Sequence, residues 1–287
     1  MRVFVAICTF CALTAFFPAS AAPAAVGDAD TAALQVALRA AGAYLGTVDG
    51  LRGPDTEEAL VSFQERVGLA PDGIAGPRTR RALGDLGRPE LGSRPLSIGV
   101  RGWDVAELQF KLSWHGFPSG PFDGAFGPRL DAAVRRFQRF ADLPTIGIAG
   151  PRTMAALRRP LPTSPLDLSA PVDAPEGDGF GPRGDAFHAG IDFVAPAGTP
   201  VVSARAGRVV WAAALGSWGN TVVVRHGRGV RTLYAHLSRI DVNLLERVST
   251  GTRLGLVGST GDSTGPHLHF EVRVRGAAVD PLGAFVS

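Results

Sequence analysis

The chain changes its apolar rhythm once. Up to about residue 160 apolar residues recur at helical spacing. In "TAALQVALRAAG" Leu34, Leu38 and Ala41 fall on one face and Gly42 ends the run; in "TEEALVSFQERVG" Ala59, Leu60, Phe63 and Val67 do the same before Gly68. With turn-forming "DG" dipeptides between them, these runs predict helix, turn, helix, turn, short helix. Beyond about residue 180, Val, Thr and Gly dominate in runs such as "NTVVVRHGRG" and "VRTLYAHLS", split by Gly-containing turns, which predicts an all-β unit. "STGPHLHFEV" shows the strand period most sharply. Leu268, Phe270, Val272 and Val274 would face a core, while His267, His269, Glu271 and Arg273 share the opposite face.

The helical half is duplicated. "GIAGPRT" occurs at Gly73 to Thr79 and again at Gly147 to Thr153, a shift of 74 that also carries Leu34-Gln35 onto Leu108-Gln109, Asp49-Gly50 onto Asp123-Gly124 and Phe63-Gln64 onto Phe137-Gln138 without a gap. Two copies of one three-helix unit follow, over 28–86 and 99–159, and the lack of a third argues against an open solenoid. The segment 160–179, "PLPTSPLDLSAPVDAPEGDG", has recurrent prolines and no apolar period and reads as a semi-rigid linker, leaving 180–287 for the β unit. The N-terminal stretch has Arg2, an apolar run from Val3 to Phe17 and small residues ending at Ala21. It reads as a secretory signal peptide over 1–21, with Ala22 as the neighbouring cleavage choice and an uncleaved anchor as the alternative.

Composition narrows the chemistry. Of 287 residues 45% are hydrophobic and 19% charged, an ordinary globular balance with room for more than one core. The formal charge of +3 is carried by interspersed residues of both signs, Lys111 being the only lysine, which argues against nucleic acid and is compatible with an anionic wall. Both cysteines, Cys8 and Cys11, lie in the signal-like segment. A mature chain would therefore have no disulfide framework, no cysteine at the cleavage point for a lipid anchor, and only His and carboxylates to hold a metal.

Five of the six histidines lie in the β unit: His188, His226, His236, His267 and His269. "HAGID" sets His188 and Asp192 four residues apart in a Gly- and Pro-containing context that favours extended structure over helix, so the chain must bend to bring both side chains together. "YAHLS" supplies Tyr234 and His236. Each motif alone also describes solvated strand residues; together, in a cysteine-free domain, they match a two-His, one-carboxylate zinc set with a fourth position left for water. Spacing alone leaves open which histidine of "HLH" binds metal. Glu271 shares the face of His269 and is a candidate to orient its ring. His226, in a turn, is expected to be exposed, and His115 lies far from these motifs.

Two resemblances then appear. "LQxxL", "DGxxGP", "AxxxFQ" and "GIAGPRT" with a following "AL", twice over between Asp28 and Arg159, resemble the peptidoglycan-binding modules of bacterial wall hydrolases. "HAGIDF", "YAHLS" and "GSTGDSTGPHLHFEV", between Gly179 and Pro281, resemble the lysostaphin-type zinc endopeptidases that cut peptide cross-links in bacterial walls. The resemblance implies a multidomain α+β chain, two small three-helix bundles followed by a mainly antiparallel β metallopeptidase domain. It implies one zinc ion held by His188, Asp192 and His269, with His236 and His267 as catalytic residues handling protons during amide hydrolysis. Tyr234 and Asn220 match less diagnostic positions and are expected to be structural. The implied partner is peptidoglycan, met as a monomer in the periplasm or the extracellular wall, with no membrane span in the mature chain.

Other classes fit less well. A cupin-like metal sandwich also uses HxH but needs a later His, and none follows His269; a wall zinc carboxypeptidase needs a longer His-to-Asp spacing and a Glu-to-His motif that is absent. The alternative from a different class is a non-catalytic wall-binding regulator of other hydrolases, which would be expected to have lost metal ligands. Here all five motif positions are present.

Overall fold

A computed structural model describes residues 26–286; the signal-peptide reading, Cys8 and Cys11 lie outside the described residues. The first repeat folds as α1 (Ala29–Ala40), α2 (Pro54–Arg66) and α3 (Pro77–Ala82), the second as α4 (Trp103–Trp114), α5 (Pro128–Phe140) and α6 (Pro151–Ala156). Four of these helices, α2, α3, α5 and α6, start on the prolines of the repeated "GP" pairs, where a missing N–H costs nothing.

The repeated glutamines explain why the motif recurs intact. Gln35 is fully buried; its amide donates to Asp49 Oδ1 (2.8 Å) and Thr56 Oγ1 (3.1 Å), and its carbonyl accepts from Gly50 N–H (2.8 Å). Gln109 grips Asp123 and Gly124 in the same way. Gln64 and Gln138 pin the "GIAGPRT" turns at Gly73 and Gly147, both with positive φ. The signature residues are thus turn anchors. The two copies join through α1 against α4, with Trp103 donating to Asp30 (3.0 Å) beneath the Arg80 guanidinium.

The β unit comprises β1 (Gly181–Arg183), β2 (Ala186–His188), β3 (Ile191–Phe193), β4 (Pro200–Val202), β5 (Gly207–Ala214), β6 (Asn220–Arg225), β7 (Val230–Leu237), β8 (Arg239–Ile240), β9 (Arg247–Val248), β10 (Arg253–Leu256), β11 (Leu268–Val274) and β12 (Ala277–Val279). Its main antiparallel sheet runs β12-β11-β7-β6-β5-β9, with β3 also paired to β11; β4-β10-β8 form a small second sheet and β1-β2 a separate hairpin. The expected alternation holds on β11, where Leu268, Phe270 and Val272 are fully buried against Tyr234, Val222 and Val224. Tyr234 is core: its hydroxyl accepts from Ala204 N–H and from Thr232. The Pro-rich segment 160–179 lies partly against this domain, with Leu168 and Val172 buried and Leu168 bridged to Phe285.

One buried carboxylate in the helical half generates a pH dependence. Burial, then the negative charge of Asp30, pushes the Glu107 carboxyl on α4 up to about 7. Between its ordinary value and that one, the folded chain holds a proton that the unfolded chain releases, so stability falls as pH rises through the window. Glu107→Gln is expected to exceed the parent in urea-unfolding stability by about 2–3 kcal/mol above about pH 7 and to match it near about pH 4. Equal stability at both ends would show that Glu107 is charged in the fold.

Candidate metal centre

The centre is assembled by strand pairing. β3 lies antiparallel to β11 with His269 directly opposite Asp192, and β2 delivers His188 just before the bend at Gly190. A Cβ at Gly190 would run into the Phe270 carbonyl and the Glu271 and His269 side chains, so the "HAGID" glycine lets the chain turn against β11. His188 Nε2, Asp192 Oδ1 and His269 Nδ1 converge: 3.2 Å from His188 to Asp192, 2.8 Å from His269 to Asp192 and 3.0 Å between the two imidazole nitrogens. All three residues are buried, and among the described residues they are the group able to hold a metal ion.

What each histidine does with its second nitrogen decides what faces inward. A carbonyl oxygen can only accept, so a ring nitrogen against one must carry the proton. His188 Nδ1–H donates to Gly179 O (2.8 Å), His236 Nδ1–H to Thr260 O (2.8 Å) and His267 Nδ1–H to Gly265 O (2.8 Å). Each leaves Nε2 as a lone-pair nitrogen. His269 is reversed: its Nε2–H donates to the buried carboxylate Glu271 (3.1 Å), itself paired with Arg273, and Nδ1 is the nitrogen turned inward to Asp192, the proton it shares with that carboxylate being the one a metal ion would displace. Two imidazole nitrogens and a carboxylate oxygen thus meet in one buried space, a donor set that fits a divalent metal such as zinc once the proton on His269 Nδ1 is displaced.

Electrostatics point the same way. Burial opposes charge on Asp192, yet the hydrogen bonds from His188 and His269 hold its carboxyl well below the usual carboxylate range. Burial likewise opposes a charged His269, and the bonds to Asp192 and Glu271 override it and push its pKa up to about 9. The centre therefore favours positive charge. Arg183 on β1 binds the other Asp192 oxygen (3.3 Å) and leaves Oδ1 directed at the histidines.

His267 and His236 border the cluster. His267 Nε2 stands 3.9 Å from Asp192 Oδ1, and its ring lies 4.7 Å, centroid to centroid, from that of His236. His236 adopts a positive φ of 60°, a left-handed conformation uncommon for a side-chain-bearing residue, held by its bond to Thr260. Burial pushes the His236 imidazole below its ordinary value; the Thr260 carbonyl opposes this and His267 and His269 reinforce it. The expectation of an exposed His226 is overturned. It is buried, with Nδ1 on Ala206 O (2.9 Å) and Nε2 on Thr232 (2.8 Å), because the strand carrying it folds back over Gly207, whose missing Cβ makes room for the ring.

Several contributors carry no sequence signal. Gly179, Thr260 and Gly265 act through backbone carbonyls, which any residue possesses, and Arg183 is separated from Asp192 by a hairpin. The face that carries His269 and Glu271 also holds a row that single motifs hide: Arg247, Arg208, Arg225, Arg231 and Arg273 are register partners across β9, β5, β6, β7 and β11. Like charges directly opposite one another destabilise a sheet, and of these five arginines only Arg273 has a carboxylate partner among the described residues.

Comparison with known proteins agrees with this architecture. Residues 186–281 match the family described as "Peptidase family M23", and residues 27–83 and 101–157 each match the "Putative peptidoglycan binding domain". The chain carries an M23 peptidase domain behind two copies of that binding domain. Over 96 residues it is 48% identical to the DD-carboxypeptidase/endopeptidase Mpg of Neisseria meningitidis, covering 33% of this chain and 22% of that protein. Over 97 residues it is 47% identical to the peptidoglycan DD-endopeptidase ShyA of Vibrio cholerae, covering 34% and 23%. The chain thus spans about a fifth of the length of these curated relatives. The solved catalytic domain of lysostaphin from Staphylococcus simulans is 34% identical, with 38% of this chain and 90% of that chain covered and a TM-score of 0.37.

Glu271 is the part of this geometry that can be tested without substrate. Glu271→Gln keeps an acceptor near His269 but removes the charge that fixes its ring, and outer partners of this kind contribute about 10–100-fold to metal affinity. Competition with a chromophoric chelator is expected to show a loss in that range. An unchanged affinity would mean that packing alone orients His269.

Proposed function

We propose that this protein is a secreted zinc endopeptidase that hydrolyses peptide bonds of bacterial peptidoglycan, with His188, Asp192 and His269 as the zinc ligands. The observation that carries the reading is the inward convergence of two imidazole nitrogens on a buried carboxylate oxygen, each nitrogen turned inward by an acceptor on the far side of its ring. Retention of the full donor set favours catalysis over a regulatory role. The DD-carboxypeptidase/endopeptidase and DD-endopeptidase among the relatives favour a bond between two D-residues. The family of the two repeats supports peptidoglycan as partner. No helix among the described residues is long and apolar enough to cross a membrane; secretion rests on the signal-like N-terminus.

Zinc, when bound, supplies a Lewis acid that polarises the scissile carbonyl and acidifies a water. The remaining work falls to the chain. His267 turns Nε2 toward Asp192 and His236 stands beside it, each with Nδ1 tied to a carbonyl and Nε2 left to accept the water proton and return it to the leaving amine. Burial keeps His236 neutral near pH 7 and so able to accept. The exposed arginines Arg225, Arg231 and Arg247, with the half-buried Arg208 between them, would receive the carboxylates of the peptide stems.

Two experiments test this. His269→Ala is expected to lose zinc on dialysis, whereas His267→Ala should keep about one zinc per chain and lose roughly 10²–10⁴-fold in hydrolysis, because a proton carrier has gone and the ligands remain. Zinc by atomic emission beside mass spectrometry of released wall fragments decides it, and a zinc-free His267 variant would overturn the division of roles. For the arginines, the combined change of Arg208, Arg225 and Arg247 to Gln should weaken pelleting with insoluble peptidoglycan and flatten its salt dependence at unchanged zinc content. Equal pelleting at all salt concentrations would remove the row from substrate binding.

A further inference from the structure

The hairpin that delivers His188 is poorly supported by its own domain. β1 and β2 pair only with each other, in register Gly181 to His188, and join neither of the larger sheets. An isolated two-stranded hairpin is marginal in water and needs a packing partner. Here the partner is the pair of repeats. Val48 N–H of the first repeat donates to Gly184 O (2.8 Å), and Phe122 N–H of the second donates to Asp185 O (2.6 Å), so both residues of the hairpin turn are gripped. Val48 and Phe122 are equivalent under the 74-residue shift, each directly preceding the "DG" turn that a buried glutamine pins.

The side chains above the hairpin complete the grip. Trp114, at the end of α4, stands edge-on to Phe187 (5.3 Å between centroids) and to Phe180 (6.2 Å), which themselves meet at 5.0 Å. Phe187 immediately precedes His188, and Phe180 immediately follows Gly179, whose carbonyl fixes the His188 tautomer. One indole therefore rests on the neighbours of both partners in that bond. Repeat 2 is anchored independently beside it, where Gly116 O accepts from Ala278 N–H (3.0 Å) at a contact too close for any Cβ on Gly116.

We infer that Trp114 is a positioning residue for the metal centre: the repeats form a two-point clamp on the β1–β2 hairpin, and Trp114 transmits that clamp to His188 and to the carbonyl that orients it. The peptidoglycan-binding repeats are then a structural part of the peptidase site as well as wall-binding modules. The inference rests on His188 being a metal ligand, the reading given above.

The test uses the full chain with Trp114→Ala, Trp114→Phe and Phe187→Ala, the last removing the same contact from the hairpin side without touching a repeat. Zinc affinity is read by chelator competition and backbone mobility by hydrogen exchange of peptides covering 179–188, with peptides from β11 as internal control. Trp114→Ala and Phe187→Ala are each expected to weaken zinc binding by about 10-fold or more and to speed exchange in 179–188 only, the double variant adding little to either. Trp114→Phe, which keeps an aromatic ring in the contact, should retain most of the affinity. Wild-type protein that binds no zinc would overturn the metal reading itself. Wild-type zinc binding that survives Trp114→Ala and Phe187→Ala, or slow exchange in 179–188 in both variants, would overturn the clamp alone.

Discussion

The geometry of the centre hangs on one register. Pairing β3 with β11 puts Asp192 directly across from His269, and every other distance in the site is measured from that pair. A slip of one residue would turn His269 toward the core and expose Phe270 in its place, so the large apolar residues of β11 enforce the position of the polar ones. Leu268, Phe270 and Val272 are fully buried, which makes the slip costly by several buried side chains at about 1.5–3 kcal/mol each. Placement of the His–Asp–His cluster is thus a by-product of ordinary core packing on the opposite face of the same strand.

Register brings the residues together, but hydrogen bonds choose the atoms. Three histidines are turned Nε2-inward by backbone carbonyls, and His269 is turned Nδ1-inward by a carboxylate. The exception has a geometric basis. Glu271 lies two residues along the same strand face, within reach of the far nitrogen of His269, and Arg273, two further, neutralises it. Burying a carboxylate is expensive unless it is paired on both sides, and this one is. The charge ladder continues outward as a row of arginines, so the face grades from a compensated, buried interior at the metal centre to uncompensated positive charge at its rim.

How much of this was legible beforehand depended on whether the signal was periodic, duplicated or tertiary. The strand period of "HLHFEV" correctly separated core from functional face, and the 74-residue repeat delimited two helical units whose buried glutamines account for the repeated letters. Motif chemistry reached His188, Asp192 and one histidine of "HLH", the choice of His269 came from the family resemblance, and Glu271 was a candidate from its shared face. His226 was misjudged because a histidine in a Gly-rich turn has no local feature announcing that its ring will cover Gly207. Gly179, Thr260 and Gly265 were invisible because the backbone carbonyl they contribute is common to every residue.

Trp114 lies between these cases. Under the repeat shift its counterpart is Ala40, and the counterpart of Trp103 at the opposite end of the same helix is Ala29. A duplicated unit with two tryptophans in one copy where the other has alanines carries apolar area that its own fold does not require, since the first copy closes without it. In the structure each tryptophan is spent on a junction, Trp103 on the joint between the repeats and Trp114 on the joint with the peptidase domain. The asymmetry of a repeat thus marks where it has been recruited to a neighbour, whereas its symmetry marks what it needs to fold. By that logic the Pro-rich segment 160–179 does less to separate the parts than its composition suggests. The repeats it follows are already held against the β1–β2 hairpin at Val48, Trp114 and Phe122 and against β12 at Gly116, and its own Leu168 and Val172 are buried in the domain it leads into.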